Sequence, residues 1–174
     1  LPNVYPGYQA VQGTQARKEF EKAWGCSLPT SSGLTLSEIF EAAYSGDIKA
    51  VYLVGENPVL SDPDVNHIRE ALNRLEFLVV QDIFLTGTAE FAHVVLPAAT
   101  FAEKDGTFTN TERRVQRVRR AIEPVGDSKA DWRIVCQLAK RMGASGFDFD
   151  HPSQIMEEIA NLTPKIMSAT HAAK

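Results

Sequence analysis

Residues 50–82, AVYLVGENPVLSDPDVNHIREALNRLEFLVVQD, decide the fold that we expect. The segment begins with a short, β-branched apolar run that ends at Gly55, a pattern typical of a strand buried in a parallel sheet. Asp62 and Pro63 predict the start of a helix that reaches Leu75, and FLVVQD then repeats the buried-strand pattern. Strand, helix and strand in this order predict two parallel strands joined by a right-handed crossover.

The same alternation extends from this segment in both directions. Upstream, LTLSEIFEAAY (residues 34–44) carries apolar residues at helical spacing and is followed by the stop signal SGD. Downstream, HVVLPA (residues 93–98) predicts a third strand. An amphipathic helix is predicted to begin at Ser128 or Asp131 and to run through WRIVCQLAKRMG, with Gly143 as its stop. The sequence therefore predicts an α/β fold with a parallel sheet flanked by helices.

The two ends of the chain differ from this central region. Residues 1–34 are rich in Pro, Gly and turn residues around one helical pattern, for which Thr14 is a plausible N-cap, so we interpret them as an irregular N-terminal arm. Residues 35–165 are expected to form the α/β domain, in which Asp105-Gly106 marks a tight turn and the residues after it form a small hairpin or an extended segment. Residues 166–174 are expected to form a tail.

Composition narrows the classes of function. The formal net charge of −4 is too mild to indicate a nucleic-acid surface, and no apolar run approaches the ~20 residues that cross a bilayer. We therefore expect a soluble, cytoplasmic protein with no nucleic-acid partner and no membrane insertion. Cys26 and Cys136 lack CxxC spacing, which argues against a zinc or iron–sulfur site, and Cys136 is expected to be a buried thiol within a helix.

The candidate site follows from the rule that ligands of an open parallel sheet lie beyond the carboxyl ends of its strands. Gly55 lets the backbone turn close to a ligand, and Asn57 offers an amide donor and acceptor. The same GENP stretch is equally an ordinary turn in which Ser61 or Asp62 caps the next helix. Asp82 could accept hydrogen bonds from a ribose diol or cap the following turn. The sequence has no GxGxxG or Walker loop and no Ser/His/Asp set, so it predicts a binding platform rather than a catalytic centre.

Three segments resemble the molybdenum and tungsten bis-(molybdopterin guanine dinucleotide) oxidoreductases. They are YLVGENPVLSDPD, LEFLVVQDIFLTGTAEFAHVVLPAATFAEKDGTFTNTERRVQRV and KADWRIVCQLAKRMG, which occur in the family's order and span about residues 50–143. The opening LPNVYPGYQ looks like the formate dehydrogenase branch. The resemblance implies a Rossmann-like domain that binds the guanosine and pyrophosphate part of the cofactor. It also implies a parent enzyme that oxidises formate to carbon dioxide, with transfer of two electrons, at molybdenum or tungsten.

The resemblance also implies particular contacts. Asp131 is carried over as a guanine contact, because a carboxylate can accept from adjacent ring and exocyclic N–H groups at once; N-capping of the helix that follows is the competing account. The chain departs from the family at His93, where Asp is usual, at Gly87, which interrupts TETA, and at Ala98, which can contact a ligand only through its backbone. The candidate cofactor-binding residues are Gly55, Asn57, Ser61, Gln81, Asp82, Ala98 and Asp131.

In such enzymes the Cys or selenocysteine metal ligand and an iron–sulfur cluster lie upstream of the matched region. Neither Cys26 nor Cys136 has the required context, so we expect the metal, the cluster and catalysis to lie elsewhere in the parent, and this fragment to be inactive alone. The expected partners are the remaining domains of the parent chain and an electron-transfer subunit or acceptor. Two alternatives remain: another oxidoreductase of this family, such as a nitrate reductase-like or respiratory complex subunit, and a non-catalytic nucleotide-binding or interaction module.

Overall fold

The computed structural model describes residues 2–112 and 114–163, so the predicted tail lies outside the described residues. These residues separate into two compact units. The first unit draws its described residues from Leu1–Thr35, Asp105–Val118 and Asp148–Lys174, and the second from Leu36–Lys104 and Arg119–Phe147. The division into an arm (1–34), a domain (35–165) and a tail (166–174) stays a prediction.

The described residues contain both strands and helices. The strands are β1 (Val4–Tyr5), β2 (Gln9–Ala10), β3 (Ala50–Val54), β4 (Phe77–Asp82), β5 (Val94–Pro97), β6 (Gly106–Thr109) and β7 (Val115–Val118). The α-helices are α1 (Thr14–Trp24), α2 (Leu36–Ser45), α3 (Pro58–Ser61), α4 (Val65–Arg74), α5 (Asp131–Arg141) and α6 (Pro152–Leu162). Within these ranges, none of the helices has the length and apolar character needed to span a bilayer.

The second unit is built on three parallel strands that lie side by side in chain order, β3, β4 and β5. Val54 of β3 lies beside Gln81 of β4, and Asp82 of β4 lies beside Pro97 of β5. The carboxyl ends of the three strands therefore meet at one edge of the sheet. The predicted α/β fold, with a parallel sheet packed against helices, is confirmed.

One face of this sheet forms the core with α2 and α4. Because successive side chains of a strand point to opposite faces, Leu53 of β3 and both Leu78 and Val80 of β4 turn to the same side. They are buried there against Phe40 of α2 and Leu72 of α4. Burying a side chain of this size contributes about 1.5–3 kcal/mol each, which holds the sheet and both helices together.

The start of α4 differs from the prediction. Asp62 and Pro63 do not open the helix; it begins at Val65, and the Oδ1 atom of Asp64 caps it by accepting the N–H of His67 at 3.1 Å. Asp62 instead accepts the N–H of Asp64 at 3.0 Å. A separate one-turn helix, α3, precedes α4 and ends at Ser61. Ser61 is therefore not the N-cap of either helix.

The first unit contains more regular structure than the predicted irregular arm. Besides the predicted helix α1, it has the antiparallel pair β1–β2, and the buried ring of Phe20 stacks on Tyr5 with ring centroids 4.8 Å apart. Thr14 is not the N-cap of α1: Gly13 holds that position, without a side-chain hydrogen bond, and Thr14 is the first helical residue.

Of the two alternatives for the residues after Asp105-Gly106, the hairpin is present, as the antiparallel pair β6–β7. Gly106 begins β6, so the Asp-Gly pair lies directly before the hairpin. Asn110 and Arg114 close the turn: the N–H of Asn110 donates to the Arg114 carbonyl at 3.0 Å, and the N–H of Arg114 donates to Asn110 Oδ1 at 2.9 Å. Asn side chains commonly hydrogen-bond nearby backbone in turns, and this one stabilises the turn between β6 and β7.

Candidate functional site

The hydrogen-bond ladder of the sheet continues past the ends of its strands. The N–H of Gly55 donates to the carbonyl of Gln81 at 2.9 Å, and the N–H of Ala98 donates to the carbonyl of Asp82 at 3.0 Å. Candidate residues from the ends of all three strands therefore lie side by side at one edge. Gly55 is exposed and has a φ of 65°, a left-handed conformation that favours glycine, although an added Cβ would meet no atom within 4 Å.

Asn57 ties the loop after β3 to the loop after β4. Its Oδ1 atom accepts the N–H of Thr88 at 3.2 Å and the Thr88 hydroxyl at 2.7 Å. The Thr88 hydroxyl oxygen in turn accepts the N–H of Val59 at 3.2 Å, and Thr88 is completely buried. The acceptor of the Asn57 amide is thus used within the chain, so a ligand contact at this residue falls to the donor group, Nδ2.

Ser61 and Asp82 use part of their hydrogen-bonding capacity locally. The exposed Ser61 hydroxyl donates to the carbonyl of Asn57 at 3.2 Å. Oδ1 of Asp82 accepts the N–H of Ile83 at 2.7 Å and that of Phe84 at 3.3 Å, so the carboxylate caps the turn after β4. Oδ2 of Asp82 lies outside those two hydrogen bonds, and the ribose role of this residue stays a prediction.

A polar network runs from the sheet to the start of α5. Gln81 is 0% exposed, although it carries a polar amide. The Tyr52 hydroxyl donates to Gln81 Oε1, and Gln81 Nε2 donates to Asp131 Oδ1 at 2.7 Å. The Lys104 ammonium donates to the second oxygen of the same carboxylate, Asp131 Oδ2. Both ends of the buried amide are therefore satisfied, and the direct ligand contact predicted for Gln81 stays a prediction.

A short backbone bridge brings Asp131 to this edge. Residues Ala98 and Lys129 form a parallel β-bridge, in which the N–H of Lys129 donates to the Pro97 carbonyl at 3.1 Å and the N–H of Ala99 donates to the Lys129 carbonyl at 2.8 Å. The chain therefore runs beside β5 immediately before α5 begins at Asp131. The backbone N–H of Ala98 is already used by Asp82, so its predicted ligand contact would fall to its carbonyl.

The capping account of Asp131 is wrong. Ala130 is the N-cap of α5, with no side-chain cap, and Asp131 is the first helical residue. Its carboxylate is turned instead toward Gln81 and Lys104. The sequence left two roles open for Asp131, N-cap or ligand contact, and the structure excludes the N-cap role.

The network also sets the charge of its members. Burial acts to raise the pKa of Asp131, but the hydrogen bonds from Lys104 and Gln81, with the Lys104 charge, outweigh it and hold the pKa of this carboxyl below its ordinary value. Burial, and after it the negative charge of Asp131, raises the pKa of Tyr52. At neutral pH Asp131 is therefore an anionic acceptor, and Tyr52 remains a donor.

Glu103 anchors the loop that carries Lys104. This carboxylate is 5% exposed and accepts the N–H of Thr100 at 2.7 Å and the N–H of Val125 at 3.0 Å. The hydrogen bond from Thr100 is the largest of the effects that lower the pKa of Glu103. The anchor fixes the backbone next to Lys104 and so limits where the ammonium can reach.

The departures from the family motif have local explanations. The N–H of Leu78 donates to Nδ1 of His93 at 3.0 Å, and the N–H of His93 donates to the Leu78 carbonyl at 2.8 Å. The imidazole nitrogen thus supplies an acceptor, as an Asp oxygen would. Gly87 is not in the left-handed region, and an added Cβ would lie 3.5 Å from Val59 Cγ1, an ordinary contact. The fold does not require glycine there.

The sequence missed Tyr52, Lys104 and Thr88. For Tyr52 a signal was available, because it is the only residue with a hydrogen-bonding side chain in the apolar strand β3. For Lys104 and Thr88 the sequence gave no indication of a role beyond their position in polar loops. In the described part of the chain, no group of three or more His, Cys, Asp or Glu side chains could hold a metal ion. The assembled residues can bind hydrogen-bond donors and acceptors of a ligand.

Comparison with known proteins places this geometry in context. The model of the family described as molybdopterin oxidoreductase matches residues 5–141. The F420-dependent formate dehydrogenase subunit alpha of Methanocaldococcus jannaschii is 50% identical over 172 residues, which are 98% of this chain and 25% of that protein. The putative formate dehydrogenase SH0748 of Staphylococcus haemolyticus is 49% identical over 164 residues, 94% of this chain and 17% of that protein.

A third relative, the probable oxidoreductase YjgC of Bacillus subtilis, is 48% identical over 171 residues, 98% of this chain and 17% of its own length. The chain thus spans 17% to 25% of these relatives. Among solved structures, acetylene hydratase from Pelobacter acetylenicus superposes with a TM-score of 0.59 at 22% identity, covering 80% of this chain and 20% of that chain. That likeness concerns the fold alone.

Proposed function

Because the chain belongs to the molybdopterin oxidoreductase family, we propose that it forms a half-site for the guanosine and pyrophosphate end of a molybdopterin guanine dinucleotide. The observation that carries the proposal is the polar edge at the carboxyl ends of three parallel strands, to which the bridge at Lys129 adds Asp131. Parallel α/β sheets bind their ligands at this edge. Gly55, Asp82 and Ala98 come from different strands and reach it together.

The chemistry of Asp131 suits guanine. Guanine presents a ring N–H and an exocyclic amino group side by side, and an ionised carboxylate can accept from both. Each carboxylate oxygen offers about two acceptor positions, so Gln81 and Lys104 leave capacity on both oxygens of Asp131. The Asp131 side chain is 37% exposed, which leaves it accessible to a base.

The remaining candidates suit the sugar and phosphates. Gly55 has no side chain to obstruct a phosphate, and Nδ2 of Asn57 can donate to a phosphate oxygen. The Ser61 hydroxyl lies at the end of the short helix α3, which follows Asn57. Oδ2 of Asp82 is suited to accept from a ribose hydroxyl. The cofactor, when bound, supplies the redox-active molybdenum or tungsten; these residues bind and orient its nucleotide end.

For the parent protein we propose formate oxidation to carbon dioxide, as the names of two relatives suggest for those proteins. In this proposal the metal ligand and an iron–sulfur cluster belong to other parts of a cytoplasmic parent, electrons pass to a separate subunit or acceptor, and this chain alone has no activity. A parent purified with neither pterin nor metal, or one that reduces nitrate and does not oxidise formate, would contradict it.

Calorimetric titration of the 174-residue chain with GMP tests the half-site directly. Asp131→Asn keeps the size of the side chain but replaces one acceptor oxygen by a donor, so we expect GMP affinity to fall about 10- to 150-fold, the equivalent of about 1.5–3 kcal/mol for a charged hydrogen bond. The matched control is Asp127→Asn, an exposed residue with the same change of charge. Absence of GMP binding by the unmodified chain, or equal affinity in both variants, would refute the half-site.

A further inference from the structure

The Asp131 carboxylate is held from two sides. From the sheet, Gln81 donates to Oδ1 and is itself fixed by the Tyr52 hydroxyl. From the loop after β5, the Lys104 ammonium donates to Oδ2. A carboxylate with a partner on each oxygen has its plane fixed, whereas a carboxylate held at one oxygen can still rotate about its terminal bond.

The backbone that carries Lys104 is itself fixed in position. Lys104 follows Glu103, whose buried carboxylate accepts backbone N–H groups of Thr100 and Val125. The loop is therefore anchored one residue before Lys104. The Lys104 side chain is 26% exposed and points its charge at Asp131, so it is committed to that carboxylate rather than extended into solvent.

The orientation of the Asp131 carboxylate plane affects which base it can recognise. Guanine offers two N–H groups in one plane, and only a carboxylate that lies in the same plane accepts both well. Hypoxanthine lacks the exocyclic amino group and makes one of the two hydrogen bonds, so a fixed carboxylate discriminates between the two bases more sharply than a rotating one.

We propose that Lys104 is a specificity-determining positioning residue, which holds the Asp131 carboxylate in the orientation that selects guanine over hypoxanthine. The inference rests on the proposed guanosine half-site and deepens it. Lys104 does not touch the base in this proposal; it acts through Asp131, with Gln81 as the second support.

The test compares GMP and IMP binding, by calorimetry, in the full 174-residue chain and three variants. Lys104→Met removes the ammonium and keeps much of the stem, and Lys104→Arg keeps a cationic donor. Lys49→Met is the charge-matched control. Lys49 lies just before β3, at the amino ends of the strands and so away from Asp131, and its Nζ atom is 2.7 Å from Oε1 of the exposed Glu76. Circular dichroism of each variant verifies that the fold is retained.

We expect the unmodified chain to prefer GMP over IMP by ~10-fold or more. Lys104→Met should reduce this preference to about threefold or less, whereas Lys49→Met and Lys104→Arg should retain most of it. A Lys104→Met variant that loses GMP and IMP affinity equally, and keeps the preference, overturns the positioning role and indicates a phosphate contact or general loss of structure. GMP binding without any preference in the unmodified chain overturns the inference but leaves the half-site standing. Absence of GMP binding overturns the half-site itself.

Discussion

Replacing His93 tests whether its side chain completes the sheet. The N–H of Leu78 donates to Nδ1 of His93, and β5 begins to pair with β4 only at Val94, beside Val79. His93→Ala leaves the Leu78 N–H without this acceptor, on a residue that is 0% exposed. An unsatisfied buried donor costs about 1–3 kcal/mol. The lost ring contact with Phe77, whose centroid lies 5.8 Å away, adds about 0.5 kcal/mol or more.

The expected destabilisation of His93→Ala is therefore about 1.5–3.5 kcal/mol. His93→Asn is the matched comparison, because its Oδ1 occupies nearly the position of Nδ1 and should recover most of the hydrogen-bond part. Urea unfolding followed by tryptophan fluorescence measures both variants; a Trp24→Phe background leaves Trp132 of the second unit as the reporter. Equal destabilisation by Ala and Asn would refute the account, since the side-chain acceptor would then contribute nothing.

The remaining predictions concern the same edge of the second unit. Thr88→Val deletes the hydroxyl that bonds Asn57 and Val59 and should cost about 1–3 kcal/mol in urea unfolding, whereas Thr88→Ser keeps the hydroxyl and should retain most of the stability. Gly55→Ala should destabilise by about 1 kcal/mol because of its left-handed backbone, while Gly87→Ala should be tolerated; equal costs would contradict this. The pKa of Asp131 is lower in the folded chain than in the unfolded chain, so its contribution to stability is present above about pH 3.9 and is lost as the pH falls through the folded-state value. Stability measured against pH should therefore fall less steeply in that acid range for Asp131→Asn, and an unchanged slope would contradict the assignment.

The sheet could be predicted because its information is local. AVYLV and FLVVQ are short apolar runs, rich in β-branched residues and followed by turn residues, and this local pattern is typical of a buried strand. The helix boundary at Asp62–Asp64 could not be predicted in the same way. Asp62 and Asp64 are both good N-caps, and the choice between them depends on α3, a single turn with no clear periodic pattern.

The site was predictable at the strand ends and not beyond them. Because parallel strands present their carboxyl ends together, the positions after β3, β4 and β5 followed from the fold. The partners of Asp131 did not: Gln81 is 50 residues away in sequence and Lys104 is 27 residues away. No periodicity connects residues at such separations, so only the folded chain reveals that Asp131 is held rather than used as a cap.

The bridge between Ala98 and Lys129 also protects an outer strand of the sheet from pairing with another chain. β5 is an outer strand, and outer strands present unpaired backbone groups that can recruit a strand from another chain. Here Pro97 has no N–H to offer, its carbonyl is taken by Lys129, and the N–H of Ala99 is taken by the Lys129 carbonyl. The segment that leads into Asp131 therefore covers the carboxyl end of the outer strand β5. A strand from another chain is hindered from pairing with β5 there, which is also where the proposed half-site would bind a nucleotide.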